Sequence, residues 1–339
     1  MDPLFIKNLP KAELHVHIEG TLEPELLLKL AEKNKIQLPF TSIEAVKQQY
    51  QFENLQDFLD LYYMGTQVLQ TAEDFFTLTA EYLTRAHQNG ITHCEIFFDP
   101  QSHTQRGIPF AAVFEGIYQA LQEGEKKYQL SSHLILCFLR HLSQAHAFAT
   151  LKEANPFKPW IIGVGLDSSE KNNPPRKFQE VFKSARQAGY KVVAHAGEEG
   201  PADYIWQSIT LLKAERIDHG VRCLEDPQLV RFLADNRIPL TVCPLSNVKL
   251  KIFPTLCQHN LPQLLEQQLC ISIHSDDPAY FGGYINDNFQ AVAQTFSLSN
   301  AQLIGFAKNS FLASFLCDTE KKQALASIDS FMRMTTLTG

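Results

Sequence analysis

Eight short apolar runs, spaced along the whole chain with helical patterns between them, constrain this sequence more than any other feature. They lie at 13–18, 92–98, 134–139, 161–166, 191–195, 217–219, 239–243 and 270–274, and are rich in Val, Ile, Leu, Phe and Cys. Polar residues hardly alternate within them. Strands covered on both faces look like this, which favours a parallel sheet. Helical patterns fill the intervals: 25–33 with Pro24 near its start, 178–188 ended by Gly189, and 224–236. Proline is tolerated in a first helical turn and glycine after a last one. Eight strand–helix units match a (β/α)8 barrel, although periodicity alone also allows an open, doubly wound sheet. The polar residues favour the barrel. They follow the first, fourth, fifth, sixth and eighth runs, and a closed barrel brings all strand ends together where an open sheet gathers them near one switch point.

The chain has 339 residues. Average domain sizes would give about two domains, but barrels of this length are commonly one. The expectation is a single domain over 1–339 with a helical insertion after the first strand, in the long interval 21–90. The middle of that interval, 52–64, carries apolar residues at helical spacing. It reads either as a cover over the barrel mouth or as ordinary wall packing, and spacing does not separate the two. The segment 168–176, with Asn172-Asn173-Pro174-Pro175, is a polar turn, and 324–339 reads as a terminal helix with a loose end.

Hydrophobic residues make up 45% of the chain, enough for a large core. A net charge of −7 shows none of the basic excess expected of a nucleic-acid-binding protein. No apolar run approaches the roughly 18 residues that span a bilayer. The start, Met1-Asp2-Pro3-Leu4-Phe5-Ile6-Lys7, lacks the pattern of a secretory signal. The seven cysteines are odd in number and form no C-x-x-C, so they read as reduced, mostly buried thiols of a cytoplasmic protein. Nothing in the sequence sets an oligomeric state.

Several of the runs end in side chains that bind metals. In an extended strand His15 and His17 point to one face, because side chains alternate with period two. A single H-x-H is more often structural, but this one closes the first strand and precedes the turn Glu19-Gly20-Thr21. His195 ends the fifth run, with Gly197 and Glu198 in the turn beyond. His219 ends the sixth and, standing alone, would read as a hydrogen-bonded core histidine. Asp276 and Asp277 follow the eighth. Two buried carboxylates side by side repel unless a cation or donor is near. A nitrogen and oxygen ligand set of this kind suits zinc with room for a water, and implies hydrolysis.

His15-Val16-His17-Ile18-Glu19-Gly20, His195-Ala196-Gly197-Glu198, Ile217-Asp218-His219-Gly220 and Ser275-Asp276-Asp277-Pro278 resemble, in order and spacing, the adenosine/adenine deaminase family of metal-dependent hydrolases. The resemblance runs from about residue 9 to the last helices. It implies a (β/α)8 barrel with one zinc per chain and hydrolytic loss of the 6-amino group of a purine as ammonia. It makes His15, His17, His195 and Asp276 the zinc ligands, and zinc would lower the pKa of a water from about 16 towards 7. It gives His219 the tasks of holding that water, taking up or steering its proton and stabilising the oxyanion at C6. Glu198 would protonate N1, which requires a raised pKa. Asp277 would hydrogen-bond N7, and Gly165 would offer its backbone N–H to N3, its missing side chain letting the ligand approach.

Two features favour the adenine branch. The adenosine branch usually carries Asp at the position of Glu19, near the ribose, and the longer Glu19 would reach into that space. The run Ser275-Asp276-Asp277-Pro278-Ala279-Tyr280-Phe281-Gly282-Gly283-Tyr284 also resembles the adenine branch. Exclusion by bulk and a misplaced polar group are each worth on the order of 1–3 kcal/mol. The expected reaction is adenine to hypoxanthine, serving purine salvage or nitrogen catabolism. Adenosine, or an N6-substituted or oxidised adenine, is the alternative substrate. A purine-binding barrel without activity would be expected to have lost Glu198, His219 or a ligand, and all are present. A two-metal phosphoesterase would want a bridging lysine or a spare His pair at strand ends, which are not seen.

Overall fold

The computed structural model describes residues 3–337, with side chains through 334. Eight parallel strands follow one another around a barrel in chain order: β1 (Lys11–His17), β2 (Ile91–Phe98), β3 (Ser131–Leu139), β4 (Ile161–Asp167), β5 (Lys191–Ala196), β6 (Arg216–His219), β7 (Leu240–Val242) and β8 (Ile271–Ile273). Each lies on one of the eight apolar runs. The open-sheet alternative is excluded at the seam between β8 and β1. There His17 N–H donates to Asp276 O (3.1 Å) and Asp276 N–H to His15 O (3.0 Å). Lower in the seam the β1 amides find side chains instead: Ala12 N–H donates to Ser310 Oγ and Leu14 N–H to His274 Nδ1. The ring is therefore closed by backbone that also carries His15, His17 and Asp276.

Helices wrap the barrel, and the main apolar core lies between them and the strands. A second, smaller cluster fills the barrel interior with Phe97, Ile135, Cys137 and Val193. Towards the strands' N-terminal ends, Arg216 is fully buried and pairs with Glu95 at 2.5 Å. Burial alone would raise the Glu95 pKa, but the Arg216 guanidinium outweighs it and holds the carboxyl well below its usual range.

The interval after β1 contains α1 (Pro24–Asn34), α2 (Ile43–Gln48), α3 (Leu55–Thr66) and α4 (Ala72–Gln88). Asn54 caps α3 through Asp57 N–H, and Thr71 with Asp74 forms a capping box on α4. Of these helices α3 turns its apolar face to the barrel mouth, which settles the open question about 52–64: the insertion covers the mouth. The helix expected at 224–236 starts later, as Pro227–Asp235, after a 3-10 turn at Val221–Glu225. Pro227 cannot donate an N–H to continue the turn, and Asp226 caps a fresh start through Gln228 N–H. The terminal helix is Asp318–Leu337, and residues 338 and 339 of the expected loose end lie outside the described residues.

Candidate active site

Strand ends and the loops beyond them converge above Phe97, whose ring lies 5.0–5.5 Å from the rings of His15, His17 and His195. As the period-two argument requires, His15 and His17 enter the same space. His17 Nε2 stands 3.1 Å from His195 Nε2, and Asp276 Oδ1 lies 3.3 Å from His15 Nε2 and 3.5 Å from His17 Nε2. Buried ring nitrogens facing each other at this distance, with His15 Nε2 lacking any hydrogen-bond partner, are a donor set that fits a cation. His15, His195, His219 and Asp276 bring ligand atoms within 4.8 Å of one another, so the cluster could hold a metal ion.

The outer ring nitrogens are braced from behind. Asp218 Oδ2 lies 3.6 Å from His195 Nδ1, and Asp167 Oδ2 lies 3.5 Å from His17 Nδ1. Thr241 Oγ1, which donates to Asp218, stands 2.9 Å from His15 Nδ1. Supports of this kind fix ring orientation in metal sites.

Two site residues hold left-handed backbone, His219 (φ 65°) and Asp276 (φ 64°). That conformation is costly for a side chain with a Cβ, and it turns each group off its strand end into the cluster. His219 Nε2 then lies 3.5 Å from Glu198 Oε2 and 3.8 Å from Asp276 Oδ2. Burial, with a contribution from His15, lowers the His219 pKa to about 3, so its imidazole is neutral. Burial, then the charges of Asp276, Glu170 and Glu199, raises the Glu198 pKa well above the usual value. Burial would raise Asp276 as well, but His15, His219 and His17 hold it well below. Asp277 is pushed well up by burial and by Asp276. Gly20 makes room for it, since a Cβ there would sit 1.9 Å from Asp277 Oδ1.

Next to this cluster lies a cavity roofed by Leu55, Phe58, Leu59, Tyr62 and Tyr63 of α3 together with Leu250 and Phe281. Its polar wall holds His17, His195, Glu198, His219, Asp276 and Asp277. Two residues expected to touch substrate are elsewhere. Glu19 is fully buried behind the wall, where its Oε1 accepts from Asp99 N–H (3.1 Å) and bonds His103 Nε2 (2.9 Å). Its extra methylene carries the carboxylate into α5 (Pro100–Thr104) and away from the cavity. Gly165 sits inside β4, not at its end, and a Cβ there would meet Cys137 Sγ at 2.5 Å. The missing side chain therefore serves barrel packing, and Ser168, in left-handed backbone (φ 70°), occupies the rim instead.

Four polar residues escaped sequence reasoning. Asp99 and Asp167 line the cavity from the ends of β2 and β4. Glu170 accepts the N–H groups of Gly197, Glu198 and Gly200 at 3.0–3.1 Å and so shapes the loop that carries Glu198. Asn247 Nδ2 lies 3.3 Å from Glu198 Oε1 and 3.4 Å from His219 Nδ1. Position was the available signal: Asp99 and Asp167 each end an apolar run, as His195 and His219 do.

The sequence model described as Adenosine deaminase matches residues 10–331. The chain belongs to the adenosine deaminase family. Among its family relatives, the adenine deaminase of Crocosphaera subtropica is 58% identical over 94% of this chain and 98% of its own. That of Hahella chejuensis is 52% identical over 97% and 98%. Among solved structures, the adenine deaminase of Arthrobacter aurescens superposes with a TM-score of 0.94 at 45% identity, covering 96% of this family member and 99% of its own chain.

Proposed function

We propose that this chain hydrolyses adenine to hypoxanthine and ammonia, with one zinc ion held by His15, His17, His195 and Asp276. Relatives named adenine deaminase at 52–58% identity over nearly the whole chain support the reaction. The observation that carries the chemistry is the meeting of Glu198, His219 and Asp276 within 3.5–3.8 Å at one side of a covered cavity. A bound zinc supplies Lewis acidity, which makes the attacking water acidic near neutral pH.

The side chains divide the remaining work. Glu198, kept protonated by its surroundings, donates to N1 and makes C6 electrophilic. Asn247 fixes the His219 tautomer. His259 Nδ1 accepts Leu261 N–H, so its Nε2–H donates to Asn247 Oδ1, which turns Nδ2 towards Glu198 and His219 Nδ1. His219 Nδ1 is then an acceptor and Nε2 carries the proton. From there Nε2–H orients the water and stabilises the oxygen that develops at C6. Asp276 Oδ2 receives one proton of the water, which departs on the 6-amino group as ammonia, and the second, released from the C6 oxygen as the carbonyl forms, returns to Glu198. The proton from Glu198 stays on N1 of hypoxanthine. Asp277, whose pKa burial and Asp276 push up, donates in its protonated form to N7.

The roof of α3 side chains keeps bulk water from this chemistry. Seven free thiols support a reducing, cytoplasmic setting. Among the described residues no helix is long and apolar enough to cross a membrane.

The test is an absorbance assay on zinc-loaded protein offered adenine, adenosine and N6-methyladenine, with ammonia recorded. Adenine should give the highest kcat/KM. An adenosine value equal to or above it would reject the substrate assignment.

A further inference from the structure

Asp99 and Asp167 face the cavity side by side, 3% and 2% exposed. Tyr62 donates to Asp99 Oδ2 at 3.3 Å, and Asp167 Oδ2 lies 3.5 Å from His17 Nδ1. Beyond those contacts and each other, Asp99 Oδ1 and both Asp167 oxygens receive no hydrogen bond from the protein. Bracing one histidine does not account for both acids. A buried carboxyl oxygen left unsatisfied costs about 1–3 kcal/mol, so such oxygens on a pair of acids that line a cavity call for a ligand donor.

The order of groups around the cavity says which donor. Glu198 Oε2 lies 3.5 Å from His219 Nε2 on one flank of the cluster, whereas His17, Asp276 and Asp277, and then His17, Asp99 and Asp167, bring ligand atoms within 4.8 Å of one another on the other. Going round the wall, the sequence is therefore Glu198, the histidine cluster, Asp277, then Asp99 with Asp167. The edge of a purine runs in the same sense: N1, C6, N7, N9. With N1 at Glu198 and N7 at Asp277, N9 falls to the aspartate pair.

We propose that Asp99, supported by Asp167, accepts the N9–H of the free base and selects adenine over its nucleosides. The assignment rests on the deamination reading above. It does not depend on how protons are shared within the pair, because a carboxyl group keeps an acceptor oxygen in either state. A nucleoside has no N9–H to give and would press a ribose against two buried acids. Sites built to hydrogen-bond a substrate N–H reject analogues lacking it by about 10⁴-fold. Glu19 enters as a positioning residue, since it holds the Asp99 backbone N–H from behind.

The discriminating probe is 9-methyladenine, in which a methyl replaces the N9 hydrogen. In the wild type, kcat/KM for adenine should exceed that for 9-methyladenine by on the order of 10⁴-fold. Asp99→Ala should collapse that ratio to below about tenfold, mainly by loss on adenine, with zinc content unchanged. Asp99→Asn, whose amide oxygen still accepts, should keep a ratio well above that of the alanine variant. For any variant too slow to assay, calorimetric Kd values for hypoxanthine and 9-methylhypoxanthine give the same ratio. An unchanged ratio in Asp99→Ala overturns the proposal, as does a parallel fall on both substrates accompanied by zinc loss. A wild type inactive on adenine would instead reject the deamination reading, and the ratio of adenine to 9-methyladenine binding would still decide this one.

Discussion

Glu170 accepts the backbone N–H of Glu198 at 3.0 Å, tying the loop after β4 to the loop after β5. Its other oxygen holds Gly197 and Gly200. One buried carboxylate thus holds three amides of the single loop that carries the proposed proton donor. Glu170→Ala should lower kcat by about 10²-fold, the scale of a displacement near 1 Å, while zinc content stays at wild-type level. Steady-state kinetics with metal analysis checks this, and an unchanged kcat would remove Glu170 from the positioning of Glu198.

Glu198→Gln keeps the shape of the side chain and removes its proton. Activity should fall by about 10²–10⁴-fold, with fold and metal retained. Because the Glu198 pKa is raised, its protonated form persists to higher pH than that of an ordinary carboxyl, and kcat/KM should decline as pH rises past the Glu198 pKa. The glutamine variant should lack this alkaline limb. Its persistence in a pH profile would assign the limb to another group.

Glu19→Asp shortens the side chain that holds Asp99 N–H and His103. With the carboxylate behind the wall, adenosine turnover should not rise, and kcat/KM for adenine should fall about tenfold, the worth of a hydrogen bond to a charged group. Adenosine becoming the better substrate would return Glu19 to the cavity.

A cation among His17 Nε2, His195 Nε2 and His15 Nε2 would give these buried nitrogens a shared partner. Chelated protein should be inactive and melt at a lower temperature. At zinc one hundred times its Kd, the ion should restore about 2.7 kcal/mol of stability. Scanning calorimetry before and after zinc return tests it, and equal melting temperatures would contradict the ligand set.

Glu95 and Arg216 make a stability prediction far from the chemistry. The folded pKa of Glu95 is depressed, so its contribution is complete above the unfolded value, about 4.3, and is lost as pH falls towards the folded one. Glu95→Gln should cost about 3–5 kcal/mol at pH 7 by leaving Arg216 buried without its charge partner. The gap between wild type and variant in urea unfolding should narrow below about pH 4. A gap constant with pH would mean the pair contributes no charge-dependent stability.

All eight strands were legible because their apolar runs have no other explanation in a parallel barrel. The histidine cluster was legible because period two fixes which side chains share a face. Depth along a strand was harder to read. Gly165 and Asp167 lie two residues apart on one face of β4, yet one meets Cys137 inside the barrel and the other meets the cavity. Glu19 was misjudged because length says how far a carboxylate reaches but not in which direction, and His103, more than eighty residues away, supplied the direction. Asp99 before Pro100 looks like an ordinary turn until β2 is known to end at the same rim as β1.

The left-handed backbone at His219 and Asp276 has an evolutionary consequence. Each costs on the order of 1–2 kcal/mol that glycine or asparagine would relieve. Heat resistance and turnover therefore pull these two positions in opposite directions. A lineage selected for thermal endurance alone would drift towards inert barrels, whereas one held to its reaction must find its gains on the outer helices.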